Sequence, residues 1–140
     1  MFALLPILIP GLFASPAAAD EKEAEACLRT KVWEGYAQGW GVRTMTSTTI
    51  PNGKTRNYLV TLYQGNEYRV QTCADEQVKN FDLLLYDTNG NVIARDSSDG
   101  REPEVTFKPE TTGTYYIVLY HREAAKPEAV GGAAMAVVYR

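Results

Sequence analysis

The sequence predicts an all-β fold: an antiparallel β-sandwich of jelly-roll-like type, carrying one N-terminal α-helix. Three observations lead there. From Gly41 onward, short apolar runs recur about every ten residues between turn signals, the spacing of a sandwich rather than of alternating helices and strands. Residues 81–96 read F-D-L-L-L-Y-D-T-N-G-N-V-I-A-R-D, two apolar runs around Asn89-Gly90, which specifies a tight β-hairpin. Residues 113–120 read G-T-Y-Y-I-V-L-Y, the densest aromatic and aliphatic strand in the protein, entered through a Thr-Gly-Thr turn.

The 140 residues leave room for one domain. Residues 1–19 read as a secretory signal: a short apolar run to Phe13, then the small residues Ala17-Ala18-Ala19, with Asp20 opening a charged segment. Pro6, Pro10 and Gly11 interrupt that run, which is too short for a spanning helix. No Lys or Arg precedes it, so either the amino terminus supplies the positive charge or the true start lies upstream.

Residues 20–40 are expected to form a helix packed on the sandwich. Acidic residues in D-E-K-E-A-E-A suit the positive end of a helix dipole. Ala24, Leu28, Val32 and Tyr36 recur every four residues as an apolar stripe, until Gly35, Gly39 and Gly41 stop the helix. The sandwich then occupies residues 41–140. Strands are expected over 44–50, 57–63, 68–73, 81–86, 92–95, 105–107, 115–120 and 134–139. Residues 124–132, rich in Ala, Gly and Pro, read as a mobile loop. The core parity is open: Leu83, Leu85, Ile117 and Leu119 point inward, or their neighbours do. Apolar residues on both faces indicate central strands, with the second face a berth for the helix.

Net charge is −3, which gives no basic footprint for nucleic acid or an anionic membrane surface. Of the two cysteines, Cys27 is no lipid anchor, because Glu25 and the preceding acids do not suit lipoprotein processing. In an oxidising compartment Cys27 and Cys73 most simply form one disulfide, stapling the helix to the sheet. Free thiols and a metal site are the alternatives, though zinc lacks a partnering histidine cluster.

Asp82-Leu83-Leu84-Leu85-Tyr86-Asp87, Asn89-Gly90 and Gly113-Thr114-Tyr115-Tyr116-Ile117-Val118-Leu119, with Tyr68-Arg69-Val70 upstream, resemble the bacterial pre-peptidase C-terminal domain. That family's domains are β-sandwiches appended to secreted peptidases, and the resemblance covers about half of the chain beyond the leader. It implies the same sandwich here. This sequence departs from the family in having no attached peptidase and in carrying an N-terminal helix with a cysteine pair.

Catalytic residues do not stand out, and no enzyme is expected. His121, the only histidine, reads as a solvated residue at a strand end, and Ser47, Ser97 and Ser98 sit in no nucleophile-elbow motif. Asp82, Asp87, Asp96 and Asp99 cluster near the hairpin and its D-S-S-D-G loop, an oxygen-rich segment of the kind that coordinates calcium; equally, Asp favours turns for local hydrogen-bonding reasons. No cofactor is expected, with calcium at these aspartates as the alternative. Tyrosines at 58, 63, 68, 86, 115, 116 and 120, with Trp33 and Trp40, are more than a small core requires, and Tyr86, Tyr116 and Tyr120 are the candidate ligand-contacting residues. Tyr115 or Tyr116, just after a glycine turn, is placed for a corner hydrogen bond. The expected function is an exported, non-enzymatic binding or interaction module of the bacterial cell envelope, periplasmic or secreted. Its ligand would be a protein or a polysaccharide, with no nucleic acid and no membrane insertion. The alternatives are a structural or accessory envelope protein and, more distantly, a hydrolase.

Overall fold

A computed structural model describes residues 19–140. The leader expected over residues 1–19 lies outside them, apart from Ala19. One helix, α1 (Glu21–Tyr36), is followed by eight strands: β1 (Gly41–Pro51), β2 (Thr55–Leu62), β3 (Tyr68–Ala74), β4 (Val78–Tyr86), β5 (Val92–Asp96), β6 (Glu104–Phe107), β7 (Gly113–Ala124) and β8 (Val130–Tyr139). They form two four-stranded sheets ordered β1-β8-β3-β6 and β2-β7-β4-β5, with every pairing antiparallel. Eight antiparallel strands in these two orders, crossing between the sheets everywhere except at the β4-β5 hairpin, make a jelly roll.

The hairpin of β4 and β5 closes where the sequence indicates, through Asp87–Asn91 rather than a bare two-residue turn. Gly90 takes a positive φ of 81°, and the Asp87 carboxylate accepts the N–H groups of Asn89 and Asn91 at 2.9 Å each. Parity resolves in favour of Leu83, Leu85, Ile117 and Leu119. All four are fully buried between the sheets with Ile50, Phe81 and Met135.

The helix starts at an Asp20 cap, whose carboxylate accepts the Glu23 N–H at 2.9 Å. It lies on β8, β3 and β1, and so does not cover the tyrosine-rich sheet. The reason is in β8. Its outward residues Ala134 and Ala136 let the helix approach closely, and Ala24, Leu28 and Trp40 fill the space between. The Cys27–Cys73 disulfide locks this layer, with a Cα separation of 6.0 Å.

Two expectations about this region are corrected. Tyr36 is not on the buried stripe: it is 62% exposed, and Gly35 is buried instead. At about 100° per residue, a four-residue spacing drifts by about 40° each step, so the fourth member sits about 120° from the first. Residues 124–132 are not one long loop either. Strand β7 runs to Ala124 and β8 begins at Val130, so Gly131 and Gly132 pair within β1-β8. Glycine marks close backbone approach here. A Cβ on Gly131 would lie 2.3 Å from Val78 Cγ2, and one on Gly132 would lie 2.6 Å from the Asp20 backbone.

Candidate functional site

With α1 on the first sheet, the outer face of β2-β7-β4-β5 is left uncovered among the described residues. Register determines its membership, because residues directly opposite share a face. One row joins Leu59, Tyr116 and Tyr86; the next joins Asn57, Val118, Leu84 and Arg95; the third joins Thr55, Tyr120 and Asp82. Leu59 is 68% exposed and Tyr116 37%, while Tyr86, Val118 and Tyr120 are half-buried by one another. Between them lies a shallow depression of about 420 Å³, lined by Thr55, Asn57, Tyr86, Gly90, Tyr116 and Val118. The three candidate tyrosines therefore share one surface. The flanking Leu59 and Arg95 escaped the sequence reading, since the run N-Y-L-V-T-L-Y is apolar on both faces and β5 shows no clean alternation.

The structure does not gather the four aspartates: Asp87 lies in the β4-β5 turn, whereas Asp82, Asp96 and Asp99 lie at the other end of that hairpin, each with partners of its own. Asp82 is buried and accepts from Arg122 Nε at 3.0 Å; Arg122 Nη2 reaches the exposed Asp99 at 3.2 Å. The Asp82 hydrogen bond, joined by that of Asp99, raises the Arg122 guanidinium further above its ordinary value. For Asp96, partial burial acts upward, but the Ser98 hydroxyl and the N–H groups of Glu104 and Ser98 outweigh it and hold the carboxyl below its usual range. Asp87 is lowered chiefly by the Asn91 N–H that it accepts across the hairpin turn. Among the described residues, the only three ligand-type side chains whose donor atoms converge within 4.8 Å are Cys27, Cys73 and Glu102, and both of those sulfurs are in the disulfide.

His121 corrects the expectation of a solvated residue. It is fully buried within β7, and its Nδ1 lies 2.8 Å from the Ile50 carbonyl. β7 is the longest strand, and it carries the imidazole inward on the parity of Ile117 and Leu119. The corner hydrogen bond is made by Tyr115, whose hydroxyl donates to the Thr111 carbonyl at 3.0 Å. A second concavity, of about 430 Å³, lies at that end of the sandwich, with Ile93, Phe107 and Tyr115 as its floor.

Trp40 is buried beneath two guanidinium groups, Arg69 at 4.3 Å and Arg140 at 4.4 Å from its ring. Trp33, in contrast, is 77% exposed and stacks on Tyr36 with ring centroids 6.1 Å apart.

Two solved structures share the architecture. Aeromonas hydrophila PliG, a periplasmic lysozyme inhibitor of g-type lysozyme, aligns with a TM-score of 0.55 at 16% identity over 69% of this chain and 85% of that one. The pre-peptidase C-terminal domain of collagenase from Bacillus anthracis aligns with a TM-score of 0.53 at 18% identity over 69% of this chain and 90% of that one. At these identities the likeness is one of fold. The chain is an antiparallel β-sandwich whose architecture is similar to that of a pre-peptidase C-terminal domain, in keeping with the resemblance of residues 82–119. No protein-family model matches the sequence, and no curated protein matches it.

Proposed function

We propose that the chain is an exported, non-enzymatic binding module that docks a protein of the bacterial cell envelope on the outer face of β2-β7-β4-β5. The observation that carries this reading is the uncovered row of Leu59, Tyr116 and Tyr86 on a sheet whose counterpart is covered by a disulfide-locked helix. Apolar and aromatic side chains gathered on one rigid face are the usual anchors of a protein interface, and the polar Asn57, Thr55 and Arg95 supply its rim. Export is consistent with the disulfide and with the leader-like residues 1–19. Among the described residues, no helix is long and apolar enough to cross a membrane. The fold itself serves as a periplasmic lysozyme inhibitor in Aeromonas hydrophila, an instance of this sandwich acting on another protein.

A glycan ligand is the second reading, favoured by Tyr116 and Tyr86 flanking the shallow depression. Leu59 weighs toward protein, because an aliphatic side chain offers a sugar ring no stacking surface. Wild-type protein and the variants Tyr116→Ala and Leu59→Ser, applied to a glycan array and to fractionated envelope proteins, separate the two. The expected result is retention of a defined envelope protein that either substitution weakens at least about tenfold, the loss of one interface anchor. Array binding abolished by Tyr116→Ala but indifferent to Leu59→Ser would move the assignment to a glycan. Binding unaffected by both variants would remove this face from the account.

A further inference from the structure

Asp75 follows the last buried residues of β3 and is itself 0% exposed. Among the described residues, no Lys, Arg or His side chain pairs with its carboxylate. Its Oδ1 accepts the Gln77 N–H at 3.0 Å, and its Oδ2 accepts the Asp20 backbone N–H at 2.6 Å. A carboxylate removed from water demands a countercharge or a dense set of donors, and two backbone N–H groups are a sparse set.

The surroundings are built around Asp20. The Asp75 N–H donates to the Gly132 carbonyl at 2.8 Å. Gly132 lacks the Cβ that would otherwise lie 2.6 Å from both the carbonyl carbon and the carbonyl oxygen of Asp20. The positive end of α1 adds to the field at the same place. In the sequence, Asp20 is the residue that directly follows Ala17-Ala18-Ala19.

We infer that a leader peptidase cuts between Ala19 and Asp20 and that the cut itself makes the missing countercharge, the new α-ammonium of Asp20 seating against Asp75 Oδ2. Hydrolysis breaks the bond between the Ala19 carbonyl carbon and the Asp20 nitrogen. The hydroxyl of water goes to the carbon and a proton to the nitrogen, which gains a further proton from solvent at neutral pH. A single-donor amide thereby becomes a cation with three donors, placed on the one buried carboxylate that lacks a cation. Cleavage precedes docking, because a peptidase needs the segment extended, so α1 settles on β8 only after processing. The inference rests on export through the leader, and it is independent of the docking face, since it concerns the opposite sheet.

The full chain, expressed with its leader in a Gram-negative host, provides the first test through the intact mass and amino-terminal sequence of the recovered protein. The expected terminus is Asp20; a terminus elsewhere, or an uncleaved chain, overturns the inference. The second test compares protein beginning at Asp20 with protein that retains Ala19 ahead of it. The extended form is expected to melt several degrees lower, and Asp75→Asn to erase most of that difference. Equal melting of the two wild-type forms overturns the ion pair even if Asp75→Asn does not fold.

Discussion

Three carboxylates report how this fold responds to acid. Asp87, Asp96 and Glu123 are each held below their ordinary range, Glu123 chiefly by the Asn80 amide and then by Lys79. A depressed folded-state value means that the unfolded chain binds the proton more readily. The stabilisation is therefore complete above about pH 5 and is lost as pH falls below about 4 through the folded values. Acid titration of the unfolding midpoint checks this, and Asp96→Asn should flatten the decline. The same hydrogen bonds explain why the Asp cluster was only partly legible. Asp, Ser and Gly in sequence announce an oxygen-rich turn, but they do not say whether the oxygens face a cation or the chain's own N–H groups. Here Arg122, Ser98, Asn89 and Asn91 engage them, so calcium followed by a chelator should leave the thermal midpoint unchanged. Asp75 was not legible at all, because C-A-D-E-Q reads as an ordinary acidic turn until the backbone folds Asp20 and Gly132 around it.

Elements show where pattern suffices and where it stops. The hairpin, the Gly-Thr-Tyr-Tyr strand and the helix were readable because each is specified by local chemistry: Asn-Gly, a glycine turn and an acidic first turn. The seat of α1 was not readable. It depends on the outward alanines of β8, and that run, G-G-A-A-M-A-V-V-Y, displays no alternation to assign them. Close approach at this seam has consequences. Gly132→Ala would push a methyl group into the Asp20 backbone, and α1 would have to move, at a cost of about 1–3 kcal/mol for an overpacked site. Urea unfolding measures it; an unchanged midpoint would mean that the helix is loosely seated. The Cys27–Cys73 bond spans 46 residues, and its loss should cost about 4 kcal/mol in chain-entropy terms. Reduction followed by the same unfolding measurement tests that value, with protection of α1 amides from exchange expected to fall first.

For the whole molecule, the division of labour between the two sheets is the central point. One sheet carries a helix, a disulfide and a Trp40 plug beneath two arginines, and it is closed. The other keeps Leu59, Tyr116 and Tyr86 in reach of solvent while its inner face holds Leu83, Leu85, Ile117 and Leu119 rigidly in the core. Substitutions on the outer face should therefore leave stability within about 0.5 kcal/mol, as surface changes do, while altering binding. The most direct test places a photoreactive phenylalanine at position 59, and separately at position 33 on the exposed face of α1, and crosslinks in living cells. A discrete adduct from position 59, diminished by Tyr116→Ala and absent from position 33, is the expected result. Adducts from position 33 alone, or no adduct at position 59, would contradict the assignment of the docking face.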